Sequence, residues 1–147
     1  MGQAWHSRGG LNDLPPGERI ALVVEPDPAK RAEATMILRS MGYKTYDTGC
    51  GAVGQFIASQ LLLEVAIVDA ELPDLDGLQV LRRLRTRLPD AVIIATAAPD
   101  ARWEETAAEA LDAGADFALS SLSAATLRAV LAGGRPDRDG YETRPSE

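Results

Sequence analysis

Short apolar runs alternate with longer segments of helical period along residues 18–133. The runs have the length of strands, and the segments between them have the length of helices. The predicted strands are residues 20–24, 43–47, 65–69, 91–96 and 117–119. Because a helical segment follows each strand, successive strands cannot pair as hairpins and must run parallel. The pattern therefore predicts an α/β fold with five parallel strands in a doubly wound sheet.

Capping residues mark the predicted helices. Asp27 followed by Pro28 is typical of an N-cap with proline at the first helical position, and Gly42 would end that helix. Apolar residues at helical spacing in the first two helices indicate the faces that pack against the sheet. These residues are Ala29, Ala32, Met36, Ile37 and Met41, and then Val53, Phe56, Ile57 and Leu61.

Composition and charge narrow the class of protein. The chain has 147 residues and a net charge of −7, which disfavours binding to nucleic acids or anionic membranes. Residues 1–17 and 134–147 lack an apolar period, so we predict a disordered leader and a disordered tail around one domain at 18–133. With no membrane-length apolar run and no signal peptide, we expect a cytoplasmic protein.

Two residue types are almost absent. His6 is the only histidine and Cys50 the only cysteine, which excludes an intrachain disulfide, multi-cysteine metal sites and most hydrolase triads in the folded part. We therefore do not expect an enzyme. We look for functional residues instead at the ends of the predicted strands, because the carboxyl ends of parallel strands form the ligand-binding crevice of such sheets.

Acids and hydroxyls follow these strand ends. Glu25 and Asp27 follow the first strand, Asp69 ends the third with Glu71 close behind, Thr96 ends the fourth, and Ser121 follows the fifth. Four stretches, at 22–28, 67–78, 93–97 and 113–116, together resemble a response-regulator receiver domain, and the resemblance covers 18–133. It implies a flavodoxin-like (βα)5 fold that accepts a phosphoryl group on Asp69 from a histidine kinase or phosphotransfer protein.

The same resemblance implies roles for the neighbours of Asp69. Mg²⁺ would be held by an acidic pair, a Ser or Thr after the fourth strand would donate to the phosphoryl group, and a lysine after the fifth would form an ion pair. Thr96 and Ser121 are thus the candidate hydrogen-bonding residues. The candidate metal ligands are Glu25, Asp27, Asp69 and Glu71.

The chain departs from the family pattern at three positions. Pro26 stands where the second acid belongs, Ser121 replaces the lysine, and Ala118 replaces an aromatic residue that reads out phosphorylation. Phe117, one residue earlier, should face the opposite side of the strand. We therefore expect an atypical receiver with weak or absent Mg²⁺ binding.

Two functions remain open. The first is a phosphorelay receiver with impaired phosphorylation, and the alternative is a pseudo-receiver that binds protein partners without phosphoryl chemistry. In either case we expect a single-domain protein whose output runs through contact with a downstream partner, at the last two helices and fifth strand, or through a homodimer.

Two further patterns suggest other functions. Gly49, Gly51 and Gly54 form a G-x-G-x-x-G pattern typical of dinucleotide binding, although it follows the second strand rather than the first. The arginines at 82–87 suggest nucleic acid, but the negative net charge favours a solvated helix face.

Overall fold

A computed structural model describes residues 18–133, so the predicted leader and tail lie outside the described residues. Within that range the chain forms one parallel sheet with strand order β2-β1-β3-β4-β5. This order and the alternation of strands and helices confirm the predicted doubly wound fold. The strands are β1 (Arg19–Val24), β2 (Tyr43–Thr48), β3 (Val65–Asp69), β4 (Val92–Thr96) and β5 (Phe117–Leu119).

Five helices cover the two faces of the sheet. They are α1 (Pro28–Ser40), α2 (Gly51–Gln60), α3 (Gly77–Arg87), α4 (Trp103–Ala113) and α5 (Ala124–Ala132). Buried residues of α1 and α5 form one apolar layer with the sheet, whereas those of α2, α3 and α4 form the other. Because both faces are covered, nearly all residues of β1 and β3 and the three central residues of β4 are buried and apolar.

Strand register sets the geometry of the carboxyl edge. Val24 pairs with Val68, which brings Glu25 to the level of Asp69, and Asp69 itself pairs with Thr96. Thr96 in turn pairs with Leu119, so Ser120 and Ser121 follow at the same edge. The polar residues at or just after the ends of β1, β3, β4 and β5 therefore lie close together at the carboxyl edge of the sheet.

The predicted inner face of α1 is correct only in part. Ile37 and Met41 pack against the core, but Ala29, Ala32 and Met36 are exposed. Its buried residues are Ala34, Thr35 and Leu38, while Met36 is 69% exposed. The Thr35 hydroxyl donates to the carbonyl of Arg31 at 2.8 Å, which satisfies its polar group inside the core. Because its hydroxyl is hydrogen-bonded within the helix, Thr35 can be buried at a position that the apolar pattern did not predict to face the core.

The predicted inner face of α2 is correct at Ile57 and Leu61, which pack against the core, and wrong at Val53 and Phe56. Gly51, Gly54 and Ala58 are buried, whereas Val53 is exposed and Phe56 is 64% exposed. A Cβ atom on Gly54 would lie 2.6 Å from a methyl carbon of the Val24 side chain, well inside van der Waals contact. The helix thus lies so close to β1 that only small residues fit between them.

One arginine of α3 is not solvated, contrary to the prediction for this segment. The Arg85 guanidinium forms an ion pair with fully buried Asp116 at 2.6 Å and also donates to the carbonyl oxygens of Gly114 and Ala91. Asp116 accepts a second hydrogen bond, at 2.9 Å, from the backbone N–H of Ile93. This network connects the end of α3 to the loop before β5.

Candidate functional site

A cavity of about 370 Å³ opens at the carboxyl edge of the sheet. Of the predicted site residues, Glu25, Asp69, Glu71, Thr96 and Ser121 line it, and Asp27 does not. Lys30 and Glu33 of α1 also line it, and neither is among the predicted site residues. Both lie in the first two turns of a helix whose start packs over the strand ends, and no motif marks that position.

Asp69 lies at the centre of this edge. Its Oδ1 accepts a hydrogen bond of 2.7 Å from the backbone N–H of Glu71. Burial raises the pKa of the Asp69 carboxyl from 3.8 to about 7; the Glu71 N–H opposes this rise, and the nearby Glu25 carboxyl adds to it. The carboxyl groups of Asp69 and Glu25 thus lie beside each other at this edge.

Glu25 is the most buried acid of the cavity, with only 7% of its surface exposed. Its Oε2 accepts a hydrogen bond of 3.0 Å from the backbone N–H of Asp27, and its carbonyl accepts one of 2.9 Å from Arg31. The carboxyl group is thus held in the loop after β1 and faces the cavity with Asp69. Pro26 contributes no ligand atom from its side chain.

Asp27, which was named above as a candidate metal ligand, caps the N-terminus of α1. Its Oδ1 accepts from the backbone N–H of Ala29 at 3.0 Å, which confirms the predicted N-cap of α1. Across residues 18–133, no group of three or more His, Cys, Asp and Glu side chains is arranged to hold a metal ion. The acids that line the cavity are Glu25, Glu33, Asp69 and Glu71.

Thr96 presents a hydroxyl without a partner. Its Oγ1 is buried and forms no hydrogen bond with any part of the chain that the structure describes. A buried hydroxyl in this state is unfavourable by about 1–3 kcal/mol relative to a satisfied one. Because Thr96 pairs with Asp69 and lines the same cavity, its hydroxyl is available to a group bound on that aspartate.

The end of β5 carries no basic side chain. Ser121 lines the cavity at the position where the family has lysine, and Ala118 is buried on the strand. Phe117 packs with Leu119 in the layer formed by α1 and α5, which confirms that it faces away from the side of Ala118. Among the cavity-lining residues that the structure describes, the only cationic side chain is that of Lys30, on the exposed first turn of α1.

The glycine pattern before α2 serves packing rather than phosphate binding. The Asp74 carboxylate accepts from the backbone N–H groups of Gly51 at 2.8 Å and Ala52 at 3.0 Å. These bonds, that to Ala52 foremost, hold the pKa of Asp74 below its usual value. Since the chain's own carboxylate occupies the N-terminus of α2, the place of a dinucleotide phosphate is already filled.

Strand order and the acids at the ends of β1 and β3 define the class of flavodoxin-like α/β proteins with a site at the carboxyl edge. Residues 21–130 match the family model of the response regulator receiver domain, and the chain belongs to this family. Such domains are signalling modules of two-component systems.

Curated relatives agree with this assignment. Response regulator MprA of Mycobacterium avium is 34% identical over 124 residues, which cover 80% of this chain and 53% of the relative. The probable transcriptional regulatory protein TcrX of Mycobacterium tuberculosis is 33% identical over 95 residues, covering 65% of this chain and 40% of TcrX. The chain thus spans about half the length of the MprA relatives that it matches.

Solved structures share the fold. The receiver domain of a sensor histidine kinase from Pseudomonas aeruginosa, with a magnesium ion in its active-site cleft, is 25% identical with a TM-score of 0.67, covering 76% of this chain and 93% of that one. A Burkholderia pseudomallei response regulator with a phosphorylated aspartate is 22% identical with a TM-score of 0.70, covering 78% and 66%. No helix in the described residues is long and apolar enough to span a membrane.

Proposed function

We propose that this chain is an atypical phosphorelay receiver in which Asp69 accepts a phosphoryl group from a histidine kinase or phosphotransfer protein. One observation carries the proposal. The buried Thr96 hydroxyl has no partner within the described part of the chain and lies beside Asp69 at the same sheet edge. A phosphoryl oxygen bound on Asp69 would supply the missing hydrogen-bond acceptor.

The residues present fit a weakly bound Mg²⁺. Two adjacent carboxyl groups, Glu25 and Asp69, supply the oxygen ligands that this ion usually takes from proteins, and Glu71 lies at the same opening. Pro26 removes one acid from the set implied by the family. When bound, Mg²⁺ would spread the negative charge of the transferring group.

Asp69, Thr96 and Ser121 would carry out the other parts of phosphoryl transfer. A carboxylate oxygen of Asp69 would form the new bond to phosphorus as the phosphorus–nitrogen bond of the donor phosphohistidine breaks. Thr96 would donate to one phosphoryl oxygen, and Ser121 is close enough to the cavity to donate to another. Neither hydroxyl replaces the positive charge of a lysine, so we expect transfer to be slow.

Phosphorylation of the full chain by phosphoramidate with millimolar Mg²⁺, followed by intact-mass measurement, tests the proposal. We expect one phosphoryl group per chain, and none in an Asp69→Asn variant. Absence of any addition to the wild type would refute the proposal. Restoring the family residues with Pro26→Asp and Ser121→Lys should increase the rate at least about tenfold, since each adds a charge that stabilises the transition state.

A pseudo-receiver adaptor is the second candidate, and a specific observation favours it. Pro26, Ala118 and Ser121 remove the second acid, the readout aromatic and the lysine together. In this case partner binding through α4, β5 and α5, or through a homodimer there, would persist in the Asp69→Asn variant. Sedimentation and co-purification of wild type and variant from a cytoplasmic extract would distinguish the two, because only a phosphorelay receiver loses its regulated contacts.

A further inference from the structure

We propose that the outer sides of α3 and α4 together form the interface of a homodimer, in which arginines on α3 of each copy pair with acids on α4 of the other. We call this surface the α3–α4 face. It uses α3 in place of β5 and α5, the elements named above for a partner of the adaptor. Formation of the dimer needs no phosphorylation, so the inference does not rest on the function proposed above.

The outer side of α3 is the basic half of this face. A surface hollow of about 530 Å³ is lined by exposed residues of the helix, namely Gln79, Arg82, Arg83, Thr86 and Arg87. Arg83 donates to the Gln55 side chain at 3.2 Å, and Arg87 donates to the backbone carbonyl of Ser59. Because α2 already holds these two guanidinium groups, ordering them in an interface costs less side-chain entropy.

The outer side of α4 is the acidic half. Its exposed acids are Glu104, Glu105, Glu109 and Asp112. Ala108 is also exposed and lies among them. Since the distance between packed helices depends on the side chains at the contact, this small residue lets a second helix come near the carboxylates.

These charges are not neutralised within the copy that carries them. The two helices are neighbours, and Arg85 of α3 donates to the carbonyl of Gly114 at the end of α4. Even so, Arg82, Glu109 and Asp112 form no ion pair in residues 18–133. Both halves are therefore available to charges on another molecule.

The order of the two helices makes the face complementary to itself. Each helix follows a strand of the same parallel sheet, so α3 and α4 run in the same direction. A two-fold axis that lies between them and parallel to them places α3 of each copy on α4 of the other. Both contacts then form at once, and each of them joins arginines to acids.

Charge favours a second copy over other occupants. A nucleic acid would meet the acids of α4 beside the arginines, on a chain whose net charge is −7. A purely acidic or purely basic protein would match one half of the face and be repelled by the other. A second copy brings charges of both signs in the required order.

Sedimentation equilibrium of the full chain at low and high salt tests whether the dimer forms. In about 50 mM NaCl we expect a monomer–dimer equilibrium with a Kd of about 0.1 mM. In about 500 mM NaCl the Kd should be at least about tenfold larger, because exposed ion pairs are screened. A chain that stays monomeric at about 1 mM protein in low salt, or a dimer indifferent to salt, would overturn the inference.

Two charge-reversal variants test which helices meet. Arg82→Glu with Arg83→Glu makes both halves acidic, and Glu105→Lys with Glu109→Lys makes the acidic half basic. Each variant alone should be monomeric, because like charges then face each other across the axis. Mixed in equal amounts, the two variants should form a heterodimer, because each reversed half meets a half of opposite charge.

A matched control separates this pairing from a general effect of net charge. Lys44→Glu with Arg128→Glu changes the net charge as much as the arginine variant does, but at exposed positions on β2 and α5. This control should dimerise like the wild type. Dimers that persist in both charge-reversal variants, or a mixture of the two that stays monomeric, would contradict the inference.

Single substitutions keep the test available if a double variant does not fold. Arg83→Glu loses the hydrogen bond to Gln55, whereas Arg82 forms no ion pair in the described residues. Arg82→Glu and Glu109→Lys should each raise the Kd at least about threefold, and their mixture should recover part of this loss. Circular dichroism confirms that each variant is folded, and an unchanged Kd in both folded variants would overturn the inference.

Discussion

Replacing Asp69 by asparagine should stabilise the metal-free protein at pH 8 and have almost no effect at pH 4. The native Asp69 carboxyl has a raised pKa, so the folded protein holds a proton between pH 4 and 7 that the unfolded chain releases. Stability due to this group is therefore fully present below pH 4 and is lost as the pH rises to 7. An asparagine side chain stays neutral and escapes this loss.

The size of the effect follows from the pKa. The value rises from 3.8 to about 7, and each unit corresponds to about 1.4 kcal/mol, which gives an upper limit of about 4 kcal/mol. Asp69 is partly exposed, so solvent screening reduces this limit by about half or more. We expect Asp69→Asn to be more stable by about 1–2 kcal/mol at pH 8.

Urea denaturation in EDTA at several pH values between 4 and 8 measures this difference. Asp90→Asn is a matched control, because it removes the same charge from an exposed loop at the opposite end of the sheet. The stability gain of the Asp69 variant should grow with pH, whereas the control should remain near zero. A gain that is the same at pH 4 and pH 8 would refute the reasoning.

Three other substitutions test separate parts of the structure. Asp116→Ala removes the fully buried carboxylate that pairs with Arg85 and accepts from the Ile93 N–H, and urea denaturation should show a loss of about 3–5 kcal/mol. A Cβ atom at Gly77 would clash with the backbone carbonyl of Ala70, so Gly77→Ala should lower stability by about 3 kcal/mol, measured in the same way; an unchanged midpoint would contradict this packing. Thr96→Val removes an unpartnered buried hydroxyl, so calorimetry should show unchanged or slightly higher stability while phosphoryl acceptance falls about tenfold.

The sheet and its functional edge could be predicted from sequence because their signals are local. Strands covered on both faces read as uninterrupted apolar runs, and the 65–69 and 117–119 boundaries match the structure. Parallel strands bring their carboxyl ends together, so residues that end or follow strands, such as Asp69 and Thr96, had to meet. Their placement follows from topology alone.

What could not be predicted depends on distances between elements. The fully buried residues of α2 are Gly51, Gly54 and Ala58 because the helix lies very close to β1. The spacing of large apolar residues in the sequence does not indicate such a short distance between a helix and a strand. Arg85 looks solvated in its charged segment, yet its partner Asp116 lies 31 residues further along the chain. Pairings of this kind are set by tertiary packing, which overrides the local pattern.

The close approach of α2 to the sheet divides this helix into a side that is fixed and a side that can evolve. At Gly54 any side chain would collide with Val24, so almost every substitution would be lost to selection for folding. Val53 and Phe56 on the outer side take no part in the core, so their replacement changes surface chemistry with little loss of stability. New partners could therefore be acquired on this helix through single substitutions that leave the receiver fold intact.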